Sequence, residues 1–151
     1  MAEVKSTQTT AIAAGYKVLP SADGGRKRGF FAEYVNGAST LATSDTIYLG
    51  DLPKGARILH DWVLNFSTGT ASCTLDVGYR KKSDGTVIDV DGIADGVAVT
   101  TAGQVALNNG SGLAAGLSYV TTEVVEVYAT VLVAVLAANQ KLIFEGSYVQ
   151  D

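Results

Sequence analysis

One histidine, one cysteine and fifteen acidic side chains bound the chemistry open to this 151-residue chain. A Ser-His-Asp set would have to use His60. That residue falls on the Trp62 side of an alternating apolar run, where a packed histidine is expected rather than a base with access to a reacting group. No Gly-x-Ser-x-Gly elbow is present. Zinc sites built from several His and Cys ligands are excluded by count. Cys73 lies on the apolar face of its own run and is expected to be a buried, inert thiol. Asp84, Asp89, Asp91 and Asp95 gather carboxylates of the kind calcium takes. The order Asp-x-Asp-x-Asp-Gly with a distal Glu is missing, however, and Asp-Gly pairs are ordinary turn formers. No catalytic residue, cofactor-binding residue or metal ligand set is expected.

Two basic clusters remain, Arg26-Lys27-Arg28 and Arg80-Lys81-Lys82, both expected on loops. They read either as solvated tips or as docking points for an acidic partner, where Arg is a common anchor. The glycines around the first lack the Gly-x-x-x-x-Gly-Lys-Ser/Thr spacing of a phosphate loop. The net charge of −4 is unevenly spread. Residues 1–82 hold ten Lys/Arg against seven acids, a balance of +3, and residues 83–151 hold one against eight, a balance of −7. Such a split concerns contacts rather than fold. The acidic total argues against nucleic acid, which calls for a basic stripe. Seven tyrosines and Trp62 would make a sugar platform only if several shared one exposed face, and their dispersal favours packing.

The elements that must position these residues are strands. Ile58, His60, Trp62, Leu64 and Phe66 fall at every second position, as do Cys73, Leu75, Val77 and Tyr79. A period of two puts each set on one face of a strand. Ser67–Thr70 between them is small and polar, so residues 56–79 are expected to form a central, buried antiparallel hairpin. Further strands are expected at 16–19, stopped by Pro20, at 30–35, 46–50, from Val87, at 124–133 and at 141–148. Alternating valines in 125–133 decide against helix. Asn36-Gly37, Pro53–Gly55 and Asp84-Gly85 mark turns. Residues 93–108 are ambiguous between a strand and one helical turn, and Leu117–Val120 is a weak strand candidate.

About eight short strands with no long amphipathic helix predict an all-β, single-domain sandwich. A jelly roll is one eight-stranded solution and the type expected here, although strand order is not legible. The domain is expected to span residues 16–151, behind an extended arm at 1–15 in which Val4 and Ile12 are among the few apolar residues. No secretory block opens the chain, and its longest apolar run is far short of the ~20 residues of a membrane-spanning helix. Synthesis as a soluble protein in the cytoplasm, with no membrane partner, is expected.

The segment Ile47-Tyr-Leu-Gly-Asp-Leu-Pro-Lys-Gly-Ala-Arg-Ile-Leu, then Leu75-Asp-Val-Gly-Tyr-Arg, Val125-Glu-Val-Tyr-Ala-Thr and Lys141-Leu-Ile-Phe, resembles a family of tailed-bacteriophage structural proteins. These are the capsid decoration, or cement, proteins. The resemblance runs from about Ile47 onward. It implies a β-sandwich or jelly-roll module, often a dimer or trimer, bound outside the shell formed by a major capsid protein, with no catalytic residues. Outside the resembling stretch, the arm and the first basic cluster are the expected partner contacts: Val4, Ile12, Arg26, Lys27 and Arg28. The other readings carried by the sequence are a neck, tail or fibre component of the virion, and a carbohydrate-binding β-sandwich module.

Overall fold

The computed structural model describes residues 13–16, 25–111 and 119–150. Within them lie nine strands: β1 (Arg26–Val35), β2 (Thr46–Leu52), β3 (Arg57–Ile58), β4 (Val63–Phe66), β5 (Thr74–Lys81), β6 (Val87–Ala98), β7 (Gly103–Ala106), β8 (Val125–Leu132) and β9 (Lys141–Gln150). Every pairing is antiparallel. One sheet runs β1-β9-β4-β7, with β3 also on β9, and the other runs β2-β8-β5-β6.

The order follows from one idea. β3 and β4 lie on the same strand, β9, and act as a single interrupted strand. The chain then has eight strands, paired first with eighth, second with seventh, third with sixth and fourth with fifth. That is one long nested hairpin. Rolled up, it brings the eighth strand beside the third and the seventh beside the fourth. The result is a jelly-roll sandwich.

This topology overturns the expected hairpin at 56–79. β4 belongs to one sheet and β5 to the other. Alternation fixes which face a residue takes, not which strand pairs with it. The seven residues from Ser67 to Cys73 are a crossover, held down by bonds from the Gly69 N–H to the Thr100 carbonyl and from the Gln140 side chain to the Ser67 carbonyl. The tight hairpin is β5–β6, closed at Asp84-Gly85, where Gly85 takes a left-handed φ of 72° and Asp84 accepts from the Thr86 N–H. The ambiguous residues 93–108 are the end of β6 and all of β7. Of the candidate at 117–120, Leu117 and Ser118 lie outside the described residues, and Val120 makes a lone bridge to Arg57. The strand expected at 16–19 also lies outside them, apart from Tyr16.

The core fills the space between the sheets. Trp62, Leu64, Phe144 and Leu142 from the first sheet meet Leu75, Val77, Val127, Ala129 and Val131 from the second, all fully buried. Trp62 is the centre of the first layer. Its ring lies 4.7 Å from that of Phe30, and its indole N–H donates to the Ser147 carbonyl at 3.0 Å. A Cβ on Gly146 would collide with the indole, so glycine there is part of the same fit. Cys73 is buried, and burial pushes its thiol up, as an inert core cysteine requires.

β6 departs from regular pairing. The two-residue step of β5 from Leu75 to Val77 faces a three-residue step of β6, and the next, from Val77 to Tyr79, faces a five-residue step. The extra residues arch over β5 and leave Asp76 and Gly78 buried on what would be an outer face. Gly96 takes a left-handed φ of 60° at the first bulge and donates its N–H to Asp76 at 2.8 Å. Burial raises the Asp76 carboxyl, an effect the Gly96 bond only partly offsets. A carboxyl raised on folding favours the native state least where it must be ionised, so stability falls as pH rises through its unfolded value toward its folded one. Asp76→Asn keeps the acceptor and removes the charge. It is expected to raise the thermal midpoint at neutral pH and leave it unchanged below the unfolded carboxyl value. An equal or lower midpoint at pH 7 would show that the charge itself is needed there.

Candidate functional site

The structure scatters the residues that carried chemical options. His60 sits exposed in the unpaired gap between β3 and β4, not packed on the Trp62 face. The alternation that suggested burial breaks at 59–62, where the chain leaves the sheet before re-entering it at Val63. Its neighbour Asp61 is the engaged residue. It accepts from the Ser147 hydroxyl at 2.7 and 2.6 Å and pairs with Lys27 at 2.6 Å. Burial alone would raise the Asp61 carboxyl, but the bonds from Lys27 and Ser147 outweigh it and hold it below its usual value.

The aspartates are also separated. Asp84 caps the β5–β6 turn, and the Asp95 backbone N–H donates to the Asn109 side-chain carbonyl while its own carbonyl accepts from the Asn109 amide. Asp89 and Asp91 share the Ser111 hydroxyl, at 3.0 and 2.6 Å. Burial and the neighbouring Asp91 carboxyl push Asp89 up, while Ser111 and Asp89 hold Asp91 down. Among the described residues no three His, Cys, Asp or Glu side chains are placed to share a metal ion. A hollow of about 200 Å³, lined by Asn65, Phe66, Ser67, Gly103, Lys141 and Ile143, lies beside the β4–β9 pair. It is smaller than the ~300–1,000 Å³ of ligand pockets.

The two basic clusters have different fates, and except for Lys82, in the turn after β5, their cations lie on strands and not on loops. Arg80 and Lys81 end β5, and each cation of that cluster meets an acid: Arg80 with Glu126 at 2.7 Å, Lys81 with Glu123 at 3.3 Å, and Lys82 with Asp51. Arg80 also lies 5.1 Å over the Tyr128 ring. The charge that looked free is neutralised across β5, β8 and β2. Arg26, Lys27 and Arg28 begin β1 and are exposed. Lys27 is tied to Asp61, whereas Arg26 and Arg28 have no acidic partner among the described residues. Val4 and Ile12 lie outside the described residues.

Sequence reasoning missed three exposed apolar side chains. Phe31 is 63% exposed and Val35 is 53% exposed on the outer face of β1. Two adjacent phenylalanines in a strand must point to opposite faces, so one of Phe30 and Phe31 had to be outside. Val133 is 73% exposed, with φ of 63°, and the Ala134 N–H reaches the Leu132 carbonyl at 2.7 Å around it. This is a γ-turn of the rare, strained hand, unusual for a β-branched residue. Nothing in the run Val131–Ala138 signals it.

No protein-family model and no curated protein sequence matches the chain. Solved structures do share its fold. A chain in the capsid of Ralstonia phage GP4 aligns with a TM-score of 0.67 over 89% of this protein and 92% of that chain, at 20% identity. A chain in the capsid asymmetric unit of cyanophage Pam1 aligns with a TM-score of 0.59 over 100% of both, at 15% identity. Both likenesses are of fold, and they extend over nearly the whole jelly roll.

Proposed function

We propose that the protein is a structural component of a tailed-phage virion. In this reading it is a decoration protein bound outside the head, stabilising the lattice of a major capsid protein. The observation that carries it is the likeness, over nearly the full chain, to chains in two phage capsid structures. Fold alone is a weak guide to function, so the surface must be consistent with it. The described surface offers contact features: Arg26 and Arg28 without acidic partners, exposed Phe31 and Val35 on the outer face of the same strand, and a strained, outward Val133. A sugar-binding module finds less support. Phe31 and Tyr48, the large exposed aromatics of the strands, lie on different sheets, and Tyr79 and Tyr128 are buried.

In this reading residues 1–15 reach a neighbouring subunit. Fully extended, they span on the order of 50 Å at ~3.3–3.6 Å per residue. Ordering them costs ~1–2 kcal/mol per residue, so Val4, Ile12 and the backbone must gain a partner on the shell. Particles are prepared with the full chain, with a chain lacking residues 2–12, or without the protein, and their rupture temperatures are compared. The full chain is expected to give the highest temperature and the shortened chain an intermediate one. Equal rupture in all three would remove the cement role and favour a neck, tail or fibre position.

A further inference from the structure

Three of the four sheet edges are blunted in the ways that prevent strands from pairing between molecules. β2 is broken by a bulge between Tyr48 and Gly50. β6 carries three register shifts. β7 is only four residues long. β1 differs. Its ten residues pair with β9 in unbroken register, it contains no proline, and among the described residues it has no neighbour on its other side.

The ladder shows what that edge presents. The Asn36 N–H donates to the Gln140 carbonyl at 2.9 Å, one step beyond the Val35–Lys141 pair. Bonded and non-bonded pairs alternate in an antiparallel ladder. The even-numbered residues of β1 therefore turn their N–H and C=O groups to β9. Lys27, Gly29, Phe31, Glu33 and Val35 turn theirs to the open edge, and their side chains share the outer face.

We infer that β1 is a self-association edge: two copies pair β1 to β1 antiparallel about a two-fold axis, with Lys27 opposite Glu33 and Phe31 opposite Gly29. The charges choose this partner and this direction. Parallel pairing would align the two Arg26–Arg28 runs, and the antiparallel pairing separates them. Lys27 already meets Asp61, and Glu33 meets Lys141 at 3.2 Å. Joined across the axis they form a row Asp61, Lys27, Glu33, Lys141, in which every adjacent pair is of opposite sign. The same register seats the exposed Phe31 ring over the partner copy's Gly29, where a Cβ would meet nothing within 4 Å. The two first sheets become one continuous sheet. This pairing rests on the edge itself and not on the virion reading.

Two variants test it by sedimentation velocity and non-reducing gels on the full chain. Phe31→Pro removes an N–H that faces away from β9, and proline is tolerated on an edge of this kind. It is expected to convert a dimer to a monomer with Trp62 emission unchanged. The double variant Lys27→Cys/Glu33→Cys places its two thiols about 20 Å apart within one strand, too far to close internally. Across the axis they face each other at about 5.5 Å between Cα atoms, within disulfide range. Oxidation is expected to give a covalent dimer from the double variant and not from either single one. A wild-type monomer at the highest attainable concentration, or a dimer indifferent to Phe31→Pro, would overturn the pairing. So would loss of the dimer on deleting residues 2–12 with no cross-link in the double variant, which would give the edge to the arm.

Discussion

Trp62→Ala is expected to lose ~3–5 kcal/mol of folding stability, the usual cost of truncating a large buried aromatic. The indole is fully buried, rests on Phe30 and donates its N–H to the Ser147 carbonyl. Truncation therefore removes the ring contact, leaves a carbonyl without its donor and opens a cavity that Gly146 cannot fill. At ~2–4 °C per kcal/mol for a chain of this size, the midpoint should fall by roughly 6–20 °C. Trp62→Phe should lose less, because a ring contact with Phe30 survives and the cavity is smaller, although the hydrogen bond goes. Denaturant unfolding followed by far-ultraviolet circular dichroism measures both. A loss under ~1 kcal/mol for the alanine variant would mean that Trp62 is not the centre of the first layer.

Gly78→Ala is expected to be nearly as damaging although it adds a single carbon. The new Cβ would point into the Asp89 carbonyl and the Val90 backbone, where β6 arches over β5. Side chains yield to such intrusions, but a main chain held in a ladder yields much less. Overpacking costs ~1–3 kcal/mol and occasionally more, and this site should lie at the upper end. Gly37→Ala, whose added carbon meets nothing within 4 Å, should change stability by less than ~0.5 kcal/mol. If the two variants melt together, the arch of β6 over Gly78 is absent in solution.

Much of the fold was legible in the sequence because burial imposes a period of two. Phe30/Ala32, Trp62/Leu64, Leu75/Val77, Val127/Ala129/Val131 and Leu142/Phe144 all face the core as their alternation required. What alternation does not encode is a partner. The pairing of β4 with β9 spans about eighty residues of chain, and nothing in 63–66 names it. His60 shows a second limit: one interruption between β3 and β4 returns an apparently inward position to solvent. The β6 bulges show a third. Asp76 and Gly78 read as the polar, outward members of β5, and only the arch above them makes them buried. The ion pairs of Arg80, Lys81 and Lys82 joined distant segments, so their acids were visible only once β2 and β8 were placed beside β5.

The place of β9 bears on how the protein is made. It is the last of the strands along the chain and lies between β1 on one side and β3 and β4 on the other. β1 emerges from the ribosome well over a hundred residues before the strand that completes it. At ~5–20 residues per second that interval is about 6–23 s. Throughout it β1, and from their own synthesis β3 and β4, lack the strand that joins them into one sheet. The sandwich cannot close until β9 has left the ribosomal tunnel. A newly made chain should therefore be a substrate for holding chaperones for seconds, and one stalled before residue 141 should remain protease-sensitive throughout.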